Sequence, residues 1–421
     1  MNSKLVAGVG AAVLVAGVIV SDGAKATEGY FLGGYGVIQS GLSGAGVANS
    51  EDAMSISLNP AGIAGLDRQV NLGAALFLPD RGYTGTNTGF VAPGVNTSGT
   101  PYFIMPNAAY SAPIDATSAW GVALYGNGGS NTDYSGRPNP NCGGALGTYC
   151  AGHAGQNLMQ VFLQFDYAQR FGNFSVGVSP VLAAQMFSAY GLKSFAGYSS
   201  SAAALSDNGN DYSFGAGLHA GVEWRVTPGF RIGLLGATET YMSKFSNYVG
   251  LFANQGSFDI PAWVDAGVAL DVNPTITLLA DYKHIFYSKI PAIADSAANL
   301  GVIPLGATNG PGFGWSDVDI VAVAAEFKAT PDLTLRGGAE FNTNPVNSQN
   351  VVFNVIAPGV TTSQFSAGAS YRLSPRSTLD LAGYVAPTNT LSGPDGYGGT
   401  IKLSLSEVSL LAGWTYHFDA K

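Results

Sequence analysis

The sequence predicts an all-β protein, a transmembrane antiparallel β-barrel of about 14 strands with an N-terminal hatch, or plug, in its lumen. Only 11% of its 421 residues are charged, whereas soluble globular proteins carry about a quarter. No apolar run after residue 20 reaches the roughly 18 residues that a membrane-spanning helix requires. Such a chain is typical of a barrel, in which lipid-facing and lumen-facing residues alternate.

The N-terminus is predicted to be a secretory signal peptide, residues 1–26. Lys4 supplies a positive region, Leu5 to Val20 an apolar region, and Ala24-Lys25-Ala26 a small-x-small cleavage site. The mature chain then starts at Thr27, and an uncleaved membrane anchor is the alternative. Cleavage removes two cations and one anion and takes the formal charge of −9 to −10. An acidic chain without basic clusters predicts no nucleic-acid partner.

The segment that follows, Gly29 to Leu66, is rich in glycine and alanine and closes on Leu58-Asn59-Pro60-Ala61-Gly62. It is too apolar for a solvated linker and too interrupted by glycine for a core helix. The lumen of a barrel is the place that suits it. We therefore expect a plug over residues 27–67, a barrel over 68–418 and a short tail over 419–421.

The strands are predicted from the alternation of apolar residues with small or polar residues along the chain. From Tyr212 to Val226 one parity holds aromatic and aliphatic residues, and the other holds Ser, Gly, His, Glu and Arg. An alternation of this length suits a tilted strand that crosses a bilayer. The same pattern recurs at Val70 to Leu78, Met159 to Tyr167, Ile260 to Val272, Leu333 to Phe341 and Val408 to Phe418.

Short turns alternate with long loops along the chain, which sets the strand number. The short turns fall near Pro113 to Thr117, Phe171 to Asn173, Thr227 to Gly229, Asn273 to Pro274, Pro331 to Asp332 and Ser374 to Arg376. The long loops fall near 80–101, 127–157, 188–211, 244–258, 289–315, 344–363 and 388–400. These connections join about fourteen strands, an even number with both termini on the periplasmic side. A soluble β-sandwich is the alternative, but it needs more surface charge.

The two cysteines, Cys142 and Cys150, lie in one glycine- and asparagine-rich loop. In an exported protein such a pair predicts a disulfide. A metal site there lacks ligands, since only His153 is near. The sequence predicts no cofactor.

Charged residues collect at the lumen parity of the strands, where both signs occur together. One interpretation is a network of ion pairs that holds the barrel to the plug. The other is that an unpaired cation binds the polar head of a ligand, with Arg170 and Lys283 as candidates. Catalysis is not predicted, because no Gly-x-Ser-x-Gly occurs between a strand and a helix and the four histidines form no triad or metal spacing.

Aromatic residues in and around the third long loop predict an apolar landing groove for a ligand. They are Phe187, Tyr190, Phe195 and Tyr198. For Phe187 and Tyr190 an aromatic girdle at the lipid interface is the alternative.

Together these motifs resemble the FadL/TodX-type outer-membrane transport proteins, which carry fatty acids or other hydrophobic compounds into Gram-negative bacteria. The most specific similarity is Gly41-Leu42-Ser43-Gly44-Ala45-Gly46 followed by Asn59-Pro60-Ala61-Gly62, the pattern of the family's N-terminal hatch. Met105-Pro106-Asn107 and Thr334-Leu335-Arg336-Gly337-Gly338 add support.

The resemblance implies a fourteen-stranded barrel, a hatch, an outer groove among the loops and an inner pocket. It also implies an inward kink of the third strand that opens the wall sideways. Here that strand is Trp120 to Tyr125, which runs into Gly126-Asn127-Gly128-Gly129. The glycines are equally consistent with a break in the hydrogen-bonded pairing of the strands and with the start of a loop. The chain departs from the family at Trp315-Ser316-Asp317, where a lysine is expected, and this weakens carboxylate recognition.

The sequence thus predicts passive uptake of a hydrophobic small molecule, gated by displacement of the Asn59-Pro60-Ala61-Gly62 turn. A general diffusion porin is the alternative, and an adhesin or phage receptor acting through the loops is a third. Expected partners besides the ligand are outer-membrane lipid, lipopolysaccharide and the barrel assembly machinery. Fatty acid, alkane, aromatic hydrocarbon and terpenoid all suit an apolar pocket.

Overall fold

A computed structural model describes residues 28–419, in which one antiparallel sheet closes into a barrel of fourteen strands. The first seven strands are β1 Gln69–Thr86, β2 Phe103–Pro113, β3 Ser118–Tyr134, β4 Ala154–Phe171, β5 Phe174–Tyr190, β6 Asp211–Thr227 and β7 Phe230–Ala237. The other seven are β8 Trp263–Asn273, β9 Ile276–Ile285, β10 Val318–Thr330, β11 Leu333–Asn342, β12 Ser363–Ser374, β13 Ser377–Pro394 and β14 Thr400–His417. The expected signal peptide lies outside the described residues, as do the last two residues of the tail.

Pairing of β1 with β14 closes the ring. The register runs from Gln69 opposite His417 to Thr86 opposite Thr400. Two short strands lie outside the wall: Gly94–Thr97 folds back on β1, and Tyr241–Met242 pairs with β6. Closure gives every strand of the ring a neighbour on both sides, so that few backbone groups are left unpaired in the apolar interior of a membrane. The predicted fourteen-stranded barrel is therefore confirmed.

The predicted two-residue alternation also holds along the walls. On β6, Tyr212 and Phe214 are 58% and 65% exposed on the outer face, whereas Ser213 and His219 are buried on the inner face. The same residues that make the sequence apolar on average therefore form a lipid-facing surface. No helix of the part described is long and apolar enough to cross a membrane, a result that does not bear on strands.

All six short turns lie where the sequence predicts them, but three long loops are shorter than predicted. Strand β13 continues to Pro394 and β14 begins at Thr400, so most of 388–400 is strand. Likewise β1 extends to Thr86 and β3 to Tyr134, into the predicted loops 80–101 and 127–157. Their polar and glycine-rich composition suggested loops, but ladder hydrogen bonds join backbone groups whatever the side chains are.

The loops and the N-terminal segment contain only short helices. They are the α-helices Val37–Gly41, Ala253–Gly256, Pro291–Ala294 and Val351–Asn354, and the 3-10 helices Ala53–Ser57, Pro60–Gly65, Pro140–Cys142, Lys193–Tyr198, Ala202–Ala204, Ser246–Tyr248, Tyr287–Lys289, Ala297–Asn299 and Ser348–Asn350. Cys142 and Cys150 are bonded to each other in the loop between β3 and β4, with their Cα atoms 5.7 Å apart, the usual distance for a disulfide.

Residues 28–66, the N-terminal segment, lie inside the ring of strands. Side chains from well-separated strands hold it: Asn71 Nδ2 donates to Asp52 Oδ2 (3.0 Å), Gln164 Nε2 to the Ile56 carbonyl (2.9 Å), Ser43 Oγ to Ser366 Oγ (2.8 Å), and Asp281 Oδ2 accepts from the Gly46 and Val47 N–H groups (2.6 and 2.9 Å). Most of its apolar side chains, such as Val47, Met54 and Ile56, are fully buried. The segment therefore fills the lumen as a packed core.

Candidate functional site

The wall is incomplete between β2 and β3. Strand β2 pairs with β1 from Ser111 up to Phe103, but with β3 only from Pro113 up to Ala108. Beyond Leu124, the partner of Ala108, β3 stays paired with β4 through a bulge at Asn127. The half of β3 that follows Leu124, on the extracellular side, therefore separates from β2. The glycines after Tyr125 mark a broken ladder, and their interpretation as a loop start is wrong.

A cavity of about 440 Å³ opens at this gap. Its lining comes from the extracellular halves of β1 to β4, from β12 to β14, from the N-terminal segment and from two extracellular loops. Apolar side chains dominate, among them Leu32, Phe77, Phe103, Met105, Leu124, Leu158, Met159, Trp315 and Leu405. The polar side chains that reach it include Arg81, Asn107, Gln160 and Glu407. Its size and mainly apolar lining suit a small hydrophobic ligand.

The free edge of β3 is covered from inside by the N-terminal segment. Phe31 forms an antiparallel bridge with Gly128, and the Gly129 N–H donates to the Tyr30 carbonyl at 3.0 Å. Only glycine suits this contact, since a Cβ at Gly128 would stand 2.0 Å from the Tyr30 oxygen. Residues 29–33 thus form the inner wall of the cavity.

The Asn59-Pro60-Ala61-Gly62 turn lies elsewhere. Asn59 is fully buried, and its Nδ2 donates to the carbonyls of Val47 (2.6 Å) and Val222 (3.0 Å). Its Oδ1 accepts from Ala61 N at the start of the 3-10 helix Pro60–Gly65. The turn packs against β4 to β6 and does not line the cavity. Buried hydrogen bonds therefore fix this turn to the barrel wall. The part of the segment that contacts the cavity is residues 29–33.

Of the two candidates for an unpaired cation, Lys283 has a carboxylate partner in the structure and Arg170 contacts a backbone carbonyl. Lys283 is buried and pairs with Glu28 at 2.5 Å, with its Nζ 4.5 Å from the Trp263 ring centre. Arg170 donates to the Ala116 carbonyl at 2.8 Å, in the turn between β2 and β3. Neither side chain lines the cavity. The partner of Lys283 lies 255 residues away along the chain, so sequence spacing could not reveal it.

Some of the lumenal charges form pairs that join the barrel to the segment. Arg336 contacts both Glu51 of the segment and Glu326 of β10, with Nε 2.7 Å from Glu326 Oε2. Asn49 also donates to Glu326 at 2.9 Å. Burial raises the pKa of Glu28, opposed by the nearby charge of Lys283. No cluster of metal-ligating side chains occurs within residues 28–419.

The predicted landing groove is partly assembled by the loops. Phe195 is buried against Phe90, Tyr149 and Phe353, and it lines a small apolar cavity of about 50 Å³. Tyr198 is 49% exposed nearby and does not line it. Phe187 lines the same cavity and is buried, so a place in a lipid-facing girdle is wrong for it.

Sequence reasoning did not identify most of the residues that line the cavity, and Arg81 and Trp315 are two examples. Arg81 fell in a predicted loop, although the alternation of β1 continues through Phe77, Pro79 and Arg81, all of which line the cavity. The sequence gives no signal for Trp315 as a cavity residue, yet Trp315 lines the cavity and its Nε1 donates to Asn354 Oδ1 at 2.6 Å.

Comparison with known proteins gives one family and several similar folds. Residues 17–390 match the family described as outer membrane protein transport protein (OMPP1/FadL/TodX). No curated protein sequence gives a significant match.

Three solved structures share the fold at low sequence identity. The toluene transporter TodX of Pseudomonas putida aligns with a TM-score of 0.69 at 16% identity, covering 93% of this chain and 100% of TodX. The toluene transporter TbuX of Ralstonia pickettii gives 0.66 at 19%, covering 92% and 99%. A FadL homologue of Pseudomonas aeruginosa gives 0.67 at 16%, covering 93% and 100%.

Proposed function

Because this chain belongs to the OMPP1/FadL/TodX family of outer-membrane transport proteins, we propose that it takes up hydrophobic small molecules by passive diffusion through a hatch-gated barrel with a lateral exit. The protein is an outer-membrane β-barrel, and its family transports hydrophobic compounds. The observation that carries the proposal is the apolar cavity at the gap between β2 and β3. It touches both the lumen segment and the wall.

The first step is capture at the extracellular loops. Phe195, Tyr149 and Phe353 pack there around a small apolar cavity, and Tyr198 beside them is half exposed. An apolar ligand gains about 25 cal/mol for each Å² that it removes from water. Uptake then needs no energy source, because consumption of the ligand inside the cell maintains the concentration gradient that drives it.

The second step is transfer into the larger cavity beside residues 29–33. Its aromatic and aliphatic lining suits either a monoaromatic hydrocarbon or the chain of a fatty acid. The similar structures include two toluene transporters and a FadL homologue, so both ligand classes are candidates.

The third step is lateral release between β2 and β3. Tyr30 and Phe31 cover the free edge of β3 and act as the movable part of the hatch. The Asn59 turn stays bound to the wall through its buried hydrogen bonds. Separation of residues 29–33 from Gly128 then connects the cavity to the surrounding membrane. The exposed aromatic and aliphatic outer face contacts outer-membrane lipid and lipopolysaccharide, and the barrel assembly machinery inserts the chain.

Filling the cavity tests the route. In Met105→Trp a larger side chain enters the cavity from the unpaired part of β2, so uptake of toluene and dodecanol by cells that lack other transporters should fall. Val264→Trp places the same ring on the lipid face of β8, 42% exposed, and should leave uptake unchanged. Equal uptake by both variants would contradict a route through the cavity.

Single-channel recording separates this function from a general diffusion porin. The buried N-terminal segment should keep ion conductance near the baseline of the bilayer. Deleting residues 29–66 should both raise conductance and change uptake of apolar substrates. A steady porin-like conductance of the intact protein would refute the hatch.

A further inference from the structure

Three cavities follow one another from the extracellular loops to the gap in the wall. The outer cavity is the one of about 50 Å³ beside Phe195, and the inner cavity is the one of about 440 Å³ beside residues 29–33. Of the described residues, none lines both. Between them lies a middle cavity of about 20 Å³, which has room for about one water molecule. A hydrophobic ligand that moves from the outer to the inner cavity by this path must therefore displace a side chain.

The middle cavity shares lining residues with both of its neighbours. Those shared with the inner cavity are Tyr30, Ser130, Leu158 and Trp315. Those shared with the outer cavity are Gln156, Phe187, Phe252 and Phe313. The second set therefore forms a partition between the outer cavity and the path to the inner one.

Hydrogen bonds fix the position of three residues of this partition. Phe187 belongs to β5, whose backbone pairs with β4 and β6 on either side. Gln156 belongs to β4, and its Nε2 donates to Ser130 Oγ at 2.7 Å. The carbonyl of Phe313 accepts from Asn354 Nδ2 at 2.7 Å.

The fourth residue, Phe252, precedes a strained turn. In the one-turn helix Ala253–Gly256 that follows it, Asn254 and Gln255 have left-handed backbones with φ of 54° and 61°. Consecutive left-handed residues other than glycine are unfavourable, because each Cβ crowds the following carbonyl oxygen. The Gln255 N–H donates to the carbonyl of Gly306 in another loop at 2.8 Å, and this contact helps to hold the turn. Rearrangement of the turn relieves strain and moves Phe252, so this side chain is displaced more easily than the other three.

The ring of Phe252 closes the partition through aromatic contacts. Its centre lies 4.6 Å from that of Phe187 and 4.8 Å from that of Phe258, and the side chain is buried. Aromatic pairs at such distances are favourable beyond the area that they bury. The closed position is therefore stable without a ligand, and an apolar ligand replaces the same contacts as it passes.

We propose that Phe252 is a gate between the outer and the inner cavity, and that it sets the width of the hydrophobic molecules that pass. This inference rests on the proposed function and adds the residue that selects ligands by width. A narrow molecule requires a small displacement of the ring. A broader molecule requires the turn at Asn254 and Gln255 to rearrange as well.

Uptake of toluene and of the broader 1,3,5-trimethylbenzene by cells that lack other transporters tests the gate. Two aromatic pairs hold the ring, and each favours the closed position by about fivefold, so Phe252→Ala should raise toluene uptake by up to about 25-fold. Uptake of 1,3,5-trimethylbenzene should rise by a larger factor. In Phe252→Trp a larger ring fills the partition, and uptake should fall for both compounds, more for 1,3,5-trimethylbenzene.

Phe245→Ala is the matched control. Phe245 is fully buried in the same loop and packs against Phe187 and Phe252, with ring centres 5.6 and 6.0 Å apart, but it lines none of the three cavities. Its truncation should leave the ratio of the two uptake rates unchanged. Heat-modifiable migration on a gel confirms that the barrel of each variant is folded.

Equilibrium binding distinguishes a gate from an altered inner cavity. Calorimetry on protein in lipid nanodiscs should give the same dissociation constant of toluene for the native protein and Phe252→Trp, since Phe252 does not line the inner cavity. A changed dissociation constant, or the same change of the uptake ratio in Phe245→Ala as in Phe252→Ala, would overturn the inference. If the native protein does not speed the uptake of toluene, the proposed function itself fails. Native uptake that neither Phe252 variant alters refutes only the gate.

Discussion

Adding one methyl group at Gly128 should release residues 29–33 from the wall. The added Cβ would stand 2.0 Å from the Tyr30 carbonyl oxygen, whereas ordinary contact begins at 3.4 Å. The two backbones must therefore separate by about 1.4 Å, the difference between these distances. The hydrogen bond from Gly129 N to Tyr30 O is 3.0 Å long and would not survive that shift.

The expected magnitude follows from the bonds that are lost. An antiparallel bridge such as Phe31 with Gly128 consists of a pair of backbone hydrogen bonds. Each contributes about 1 kcal/mol, so Gly128→Ala costs the docked state about 2 kcal/mol. That free energy corresponds to about a 30-fold increase in the undocked population.

Hydrogen exchange measures this change directly. Amides in peptides that cover residues 29–33 should exchange about 30-fold faster in Gly128→Ala if they exchange through local opening. Gly126→Ala is the matched control on the same strand, since its Cβ would meet nothing closer than the Gln160 carbonyl at 3.9 Å. Unchanged exchange in Gly128→Ala, or an equal increase in Gly126→Ala, would refute the reasoning.

Two further predictions concern the N-terminal segment and the disulfide loop. Burial and the negative charges of Asp380 and Glu51 raise the pKa of Asp52 from its ordinary value of 3.8 to about 7, so the folded state holds this proton more tightly. Its contribution to stability is present below about pH 4 and is lost as the pH rises to about 7. Thermal unfolding in detergent should therefore show a smaller decrease in Tm over that range for Asp52→Asn, and an identical decrease would contradict the assignment. Replacing Cys142 and Cys150 by serine should speed proteolysis of their loop, because a cross-link of this span contributes about 2.5 kcal/mol; free thiols in the purified native protein would refute the bond.

The sequence predicts the wall well because each strand carries its own signal. The alternation around Tyr212 and the proline, asparagine and glycine turns are local patterns, and closure follows from their number. The composition of residues 29–66 likewise suffices to predict that they leave solvent. These features do not depend on which distant residues meet.

The candidate site is predicted less well from the sequence, because it depends on contacts between residues that are far apart along the chain. Lys283 is neutralised by Glu28, 255 residues away, and this partnership follows from how the segment lies in the lumen. Arg81 reaches the cavity only because β1 continues as a strand to Thr86. The Asn59-Pro60-Ala61-Gly62 motif binds the wall away from the cavity, and a motif match cannot predict that position.

The short link between the 3-10 helix Pro60–Gly65 and the start of β1 at Gln69 limits how the segment can move. Three residues form a tether at one end, so nearby atoms can shift only slightly, whereas residues 29–33 lie at the far end and can travel furthest. We therefore expect the proposed hatch to open by rotation about the seam where β1 meets β14. In the proposed mechanism, a small ligand opens an exit at one end of the segment while the other end keeps the pore blocked to ions.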